Sequence, residues 1–303
     1  NDEKEFYHCF STGEHGDIFS FLMKTKGLNY PESIEILARQ AGLDPEKGKV
    51  NDYTNKDDSK NIRLRAILED AKNFYQENLI KSSLPNTYLE KRQVDIATFK
   101  KFEIGYIGNN NNDLYLFLKS RNHKIEDMVL LGLIKKSQYK ENNYYDFFRN
   151  RLIFPIKNYK AQVIAFGGRA LDNSNIKYIN SSDSQIFKKS FNLYNLNIAI
   201  EDRRQLEHIY VVEGYMDVIS LYQNGFKTTV APLGTALTKF QIEAVWRYCK
   251  KPTIIFDGDE AGQQAALRAA KLSLSILKPG YSLKLCILPK NHDPDDYLKK
   301  NLI

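Results

Sequence analysis

The sequence predicts an α+β half followed by an α/β domain built on a small parallel sheet. Three observations carry this prediction. Over residues 205–303, apolar runs of strand length alternate with stretches of helical periodicity, the pattern of a parallel sheet with helices on both faces. Residues 151–157 and 161–166 are two β-rich runs around a short turn at 158–160, which reads as a hairpin. Before them, apolar residues from Ile62 to Tyr75 recur at helical spacing. The length of 303 residues suits about two domains.

In order along the chain, residues 1–43 open with an aromatic strand-like run, Phe6-Tyr7-His8-Cys9-Phe10. A turn at 12–16 follows, then a helix capped by Asp17 and a second helix over 31–40 with Pro31 in its first turn. Residues 44–61 are polar and mixed in charge, and read as a linker. The helical pattern resumes at Ile62, with short helices at 86–91 and 96–102. The four asparagines 109–112 read as a loop tip. The hairpin is expected to end in Gly167-Gly168-Arg169. Strands are then expected at 208–212, 227–231, 251–256 and 282–288. Helices are expected at 216–223, 239–248 and 261–277, with Thr238 and Gln241 forming a capping box. The resulting boundaries are 1–43, a linker 44–61, a basic subdomain 62–204, and the parallel-sheet domain 205–303.

Composition narrows the function classes. Hydrophobic residues are 42% and charged residues 27%, enough apolar matter for a packed core. No apolar run approaches the roughly 18 residues of a membrane span, so no membrane partner is expected. Cys9, Cys249 and Cys286 are too few and too scattered for a disulfide framework, and no leading apolar segment is present. The chain therefore reads as cytoplasmic. It begins at Asn1, without Met and in mid-pattern, which reads as an excerpt. The net charge is +7 and is unevenly placed. Residues 131–190 alone carry eleven Lys/Arg against four Asp/Glu, a footprint that suits a polyanion or a solvated basic face.

Three predicted strands end in acid: Glu213-Gly214, Asp257-Gly258-Asp259, and the run His292-Asp293-Pro294-Asp295-Asp296. In a parallel sheet these ends share one edge, where open α/β sheets place ligands. Crowded carboxylates repel unless a cation sits among them. Oxygen donors without His or Cys suit Mg²⁺ or Mn²⁺, ions that can bind phosphate oxygens and activate a hydroxyl.

These residues resemble a family. Val212-Glu213-Gly214-Tyr215-Met216-Asp217, Phe256-Asp257-Gly258-Asp259-Glu260 and His292-Asp293-Pro294-Asp295 are similar to the three motifs of a Toprim domain of the bacterial primase type. Tyr88-Leu89-Glu90-Lys91-Arg92, Phe148-Arg149-Asn150-Arg151-Leu152-Ile153-Phe154, Phe166-Gly167-Gly168-Arg169 and Lys177-Tyr178-Ile179-Asn180-Ser181 resemble the basic half of the primase polymerase core. Residues 6–16 resemble the end of its zinc-binding domain, a partial zinc ribbon.

The resemblance implies a primase, an enzyme that makes short RNA primers on single-stranded DNA from ribonucleoside triphosphates. It implies metal roles for Glu213, Asp257, Asp259, Asp293 and Asp295, with Glu213, Asp257 and Asp259 catalytic. Tyr215 and Asp217 would line the site. Arg92, Arg149, Arg151, Lys157, Arg169 and Lys177 would face nucleotide and template. The interleaved aromatics Tyr144, Tyr145, Phe147, Phe148, Tyr159 and Tyr178 suit base stacking, with core packing as the alternative.

The zinc ribbon departs from the family. Cys9 stands at one ligand position, but Thr12 replaces the Cys of the Cys-x-x-Cys pair, so zinc is not expected here. Family segments after the last acidic motif, including the one implied to contact a replicative helicase, are expected only in a longer protein. Two rivals remain at this level. One is a Toprim nuclease or topoisomerase using the same acids; the other is an inactive single-strand-binding fragment.

Overall fold

The computed structural model describes residues 6–10, 15–26, 30–41, 52–137, 143–172, 174, 176–201, 206–234, 236–290 and 292–301. They belong to two compact units, Asn1–Ser59 and Lys60–Ile303.

In the first unit, β1 (Tyr7–His8) pairs antiparallel with β2 (His15–Gly16). Helix α1 (Ile18–Lys26) begins where Asp17 accepts from the Ser20 amide at 2.7 Å. It packs on α2 (Tyr30–Gln40). Residues 11–14, where a turn is expected and which include Thr12, lie outside the described residues.

Part of the expected linker is helical. Residues 52–61 are the first turns of α3 (Asp52–Lys81), a stretch with no Pro or Gly to interrupt it. Further along α3, Leu64, Ile67, Leu68, Ala71 and Tyr75 are buried, one stripe at helical spacing. Then come α4 (Ser83–Lys91), α5 (Ile96–Lys101), β3 (Gly105–Ile107), α6 (Asp113–Ser120), α7 (Ile125–Leu130), β4 (Ile134–Lys136) and β5 (Tyr144–Asp146). The hairpin is β6 (Arg151–Lys157) with β7 (Val163–Ala170), followed by β8 (Tyr178–Asn180). Strand β7 does not stop at Phe166. Gly167, Gly168 and Arg169 pair with Phe154, Ile153 and Leu152, so the expected hairpin end lies inside the strand.

The antiparallel sheet has order β3-β6-β7-β8 and is buried on both faces. Strand alternation sends Ile153 and Phe166 into one core with the α3 stripe, and Leu152, Phe154 and Ile156 into another. A 3-10 turn (Lys189–Phe191) and α8 (Leu196–Ala199) lead to the parallel-sheet part. There, β9 (Tyr210–Val211), α9 (Tyr215–Gln223), β10 (Thr229–Val230), α10 (Lys239–Trp246), β11 (Thr253–Phe256), α11 (Glu260–Ser275), β12 (Lys284–Ile287) and α12 (Pro294–Asn301) alternate as expected. All three pairings in the order β10-β9-β11-β12 are parallel. The Thr238–Gln241 capping box forms in both directions. Helix α9 buries Met216, Val218 and Ile219 in the core that also holds Leu152, Phe154 and Ile156. The two four-stranded sheets of this unit therefore share a core. Among the described residues, no helix is long and apolar enough to cross a membrane.

One structural carboxylate was invisible in the sequence. Asp146, at the end of β5, is fully buried and caps α6 from outside it, accepting from the Leu114 and Tyr115 amides at 2.9 Å each. Burial pushes its carboxyl from 3.8 up to about 6, and the two amides only partly oppose this. The folded state therefore binds the proton more tightly than the unfolded one. The Asp146 contribution to stability is greatest at low pH and declines as pH rises from about 4 through about 6, to about 7. Urea unfolding across this range should show wild type losing up to about 3 kcal/mol relative to Asp146→Asn, with no further relative change above it.

Candidate active site

Because all four strands of the second sheet run parallel, their carboxyl ends lie at one edge. Glu213 follows β9, Asp257 follows β11, and the segment after β12 carries Asp293 into α12. The approach of the last two is fixed by backbone. The Gly258 amide donates to the His292 carbonyl at 2.9 Å. A Cβ on Gly258 would stand 1.9 Å from the Pro289 carbonyl oxygen, so only glycine lets these loops meet.

Glu213 is exposed and accepts from the Asp257 amide at 3.3 Å. Asp257 is half-buried, and its Oδ1 is buried without a hydrogen-bond partner. Burial first, then the charges of Glu213, Asp293, Asp259 and Asp296, push its carboxyl up to about 7. Asp217, on α9, accepts from the Gly214 amide at 3.0 Å. It is raised well above the usual range by burial, then by Asp257 and Asp293. Asp259 caps α11 through the Gly262 amide at 2.7 Å, and Asp293 caps α12 through the Asp296 amide at 2.7 Å. Each of these last two carboxylates has a second oxygen outside its cap bond.

This donor set, oxygen-only with an orphaned buried oxygen amid like charges, fits a hard divalent cation. Among the described residues, no group of three acids forms a ready-made metal cage. Mg²⁺ ordinarily takes one or two carboxylates and completes its shell with water and phosphate oxygens.

Asp295 stands apart. It is 2% exposed and receives Arg92 Nη1 at 2.9 Å and Lys299 Nζ at 2.7 Å. The predicted metal acid and the predicted template arginine thus engage each other. Arg92 and Arg169 also lie over the Tyr88 ring, at 5.9 and 4.8 Å from its centroid. Arg169 is buried, bonds the Tyr178 hydroxyl at 2.6 Å, and keeps a buried Nε without a partner. The other basic positions scatter. Arg151 is buried and donates to the Gly168, Ile176 and Lys177 carbonyls, clamping the β7–β8 connection. Lys157 pairs with Glu103 at 2.6 Å, Arg149 bonds Asn111 at 2.9 Å, and Lys177 is exposed.

Tyr215 is buried. Its ring stacks on Phe154 at 4.9 Å and 12°, and its hydroxyl donates to Asn180 Oδ1 at 2.5 Å. A Cβ on Gly167 would stand 2.4 Å from that hydroxyl. Asn180 and Gly167 were visible only as parts of longer motifs, and nothing in their spacing pointed to this interlock.

With this geometry in place, comparison with known proteins is decisive. Residues 74–200 match the family described as DNA primase catalytic core, N-terminal domain, and residues 210–298 match the Toprim-like family. Residues 1–53 match the CHC2 zinc finger. The chain belongs to the bacterial DNA primase family.

It is 38% identical over 301 residues to a DNA primase of Clostridium acetobutylicum, covering 99% of this chain and 49% of that one. With a DNA primase of Pasteurella multocida it shares 35% over 303 residues, covering 99% and 52%. The chain thus spans about half the length of the curated relatives it matches. Among solved structures, it is similar to the zinc-binding and RNA polymerase domains of the Aquifex aeolicus primase. There the TM-score is 0.73 at 33% identity, covering 99% of this chain and 71% of that one. It is equally similar to a DnaG primase catalytic domain bound to ssDNA, with TM-score 0.73, 33% identity and coverage of 80% and 78%.

The zinc-finger match sits against the expectation that zinc is absent. Within the sequence, the Cys-x-x-Cys half of such a site offers one thiolate, Cys9, and the hydroxyl of Thr12. That half does not fit a four-ligand structural zinc.

The Arg92–Asp295 pair gives a stability test. Arg92→Ala leaves a buried carboxylate with Lys299 alone, and should cost about 1–3 kcal/mol by urea unfolding. The double variant with Asp295→Ala should recover part of that loss.

Proposed function

We propose that this chain is the catalytic part of a DNA primase, with part of its zinc-binding domain, acting in template-dependent synthesis of RNA primers. The observation that carries the reading is Asp257. Its buried, unpartnered Oδ1 stands among Glu213, Asp259 and Asp293, and its carboxyl is raised to about 7. A site of this kind favours proton or cation, and the edge of a parallel sheet is where phosphate ligands enter.

On this reading Glu213 and Asp257 are the principal ligands for Mg²⁺ or Mn²⁺, with the outer oxygens of Asp259 and Asp293 completing the approach. When bound, the ion supplies charge neutralisation for a triphosphate and polarises the attacking 3′ hydroxyl. Asp217 holds the Gly214 turn, which keeps Glu213 at the edge. Arg92 and Asp295 fasten the wall beside it. Arg169, buried against Tyr88 and Tyr178, lends positive charge to the same wall. Chemistry of this type depends on positioning and charge more than on covalent help.

The substrates are a single-stranded DNA template and ribonucleoside triphosphates. A replicative helicase is the further partner, through the part of the relatives' length that this chain does not span. The place of action is the bacterial cytoplasm, at the replication fork.

In an Mg²⁺-dependent primer-synthesis assay, Glu213→Gln and Asp257→Asn should each lower the rate by roughly a hundred-fold or more. Full synthesis by both variants would refute the assignment. Nicking of DNA without nucleotides would turn it toward a nuclease.

A further inference from the structure

Two short stretches each place one phenylalanine among polar and basic neighbours: Lys188-Lys189-Ser190-Phe191-Asn192 and Thr238-Lys239-Phe240-Gln241. Neither belongs to the sequence features assigned above beyond the Thr238 cap. The fold brings them together. The 3-10 turn Lys189–Phe191 lies against the start of α10, and the rings of Phe191 and Phe240 stack at 4.2 Å and 24°. The pair faces water: Phe191 is 53% exposed and Phe240 38%.

Its outward position is built. Thr238 Oγ1 donates to the Ser190 carbonyl at 2.6 Å. Gln241, fully buried, donates through Nε2 to the Lys189 and Asn192 carbonyls at 3.0 and 2.8 Å. Asp183 accepts from the Lys189 amide at 3.0 Å. The same two residues that cap α10 therefore also clamp the turn beneath Phe191. Lys239 Nζ lies 5.0 Å from the Phe240 centroid, and Lys188 is exposed. Helix α10 follows β10, so its first turn stands at the same sheet edge as Glu213. A cavity of about 540 Å³, lined by Glu213, Gly234, Leu237 and Arg268, joins that edge to the connection leading into α10.

We propose that the Phe191–Phe240 pair is a stacking platform for an unpaired base of single-stranded DNA, with Lys188, Lys189 and Lys239 holding the neighbouring phosphates. An exposed, clamped aromatic stack with lysines in both of its segments matches the chemistry of a single strand, whose bases offer open π-faces beside a polyanionic backbone. Duplex bases have both faces covered and gain nothing from it. The inference rests on the primase reading and specifies where its template is gripped. It also moves base stacking away from Phe148, which is buried, and from Tyr144 and Phe147, which pack against the core, while Tyr159 stays exposed at the hairpin turn.

The test measures binding of a labelled single-stranded oligonucleotide and its duplex by fluorescence anisotropy. Phe191→Ala and Phe240→Ala should each weaken single-strand binding by roughly five-fold or more and leave duplex binding unchanged. Phe240→Leu, apolar but without a π-face, should behave like Phe240→Ala, and Phe240→Trp should retain affinity. Lys239→Gln should lower the salt dependence of binding. Thermal melts should match wild type, because both rings are surface groups. Unchanged binding by both alanine variants, an equal loss on duplex, or full affinity in Phe240→Leu overturns the platform and leaves the primase reading standing. If the unaltered protein binds no single strand, both fall.

Discussion

The arrangement depends most on one contact: the ring of Tyr215 laid on Phe154, beneath Gly167, with its hydroxyl on Asn180. Tyr215 begins α9, two residues after Glu213. Phe154, Gly167 and Asn180 belong to β6, β7 and β8 of the other sheet. The acidic edge and the basic, antiparallel half are thereby joined through a close-packed core, not a tether. Close packing transmits position because neither ring can shift without opening a void or a clash. The glycine matters here by having no side chain, since a Cβ would occupy the hydroxyl's place.

Around this joint, charge is handled in two ways. Where a carboxylate is buried and paired, as Asp295 is with Arg92 and Lys299, it becomes part of the wall. Where carboxylates crowd and, among the described residues, form no ion pair, as at Asp257 and Asp217, burial and mutual repulsion raise them toward the protonated state. That unresolved repulsion is what a divalent ion would relieve. The structure thus separates an acid paired into the wall from acids raised by burial and crowding, although both kinds sit in the same short motifs.

The basic residues follow the same division. Arg151 spends its guanidinium on backbone carbonyls, and Lys157 is paired with Glu103. Arg169 is buried against Tyr88 and Tyr178 yet keeps one donor unmet. A surplus of positive charge in the sequence therefore overstates the charge available to a polyanion. The aromatic content divides likewise: Phe148, with Tyr144 and Phe147 against it, belongs to a core, Tyr159 is exposed at the hairpin turn, and the exposed Phe191–Phe240 stack forms between two segments far apart in sequence.

Much was determined by the sequence alone, for local reasons. Alternating apolar runs specified the parallel sheet, and with it the gathering of Glu213, Asp257 and Asp293 at one edge, because parallel strands must end together. Thr238 and Gln241 announced a cap that forms as read. Residues 52–61, polar enough to read as a linker, form the first turns of α3, with no Pro or Gly among them to interrupt it. The continuation of β7 through two glycines was set by its partner strand, not by propensity. Tertiary structure alone decided which acid is paired and which is bare, which arginine is spent, and that Asp146 caps a helix from another element. Those outcomes depend on residues distant in sequence meeting in a medium that penalises any unpartnered charge, and no local pattern encodes such a meeting.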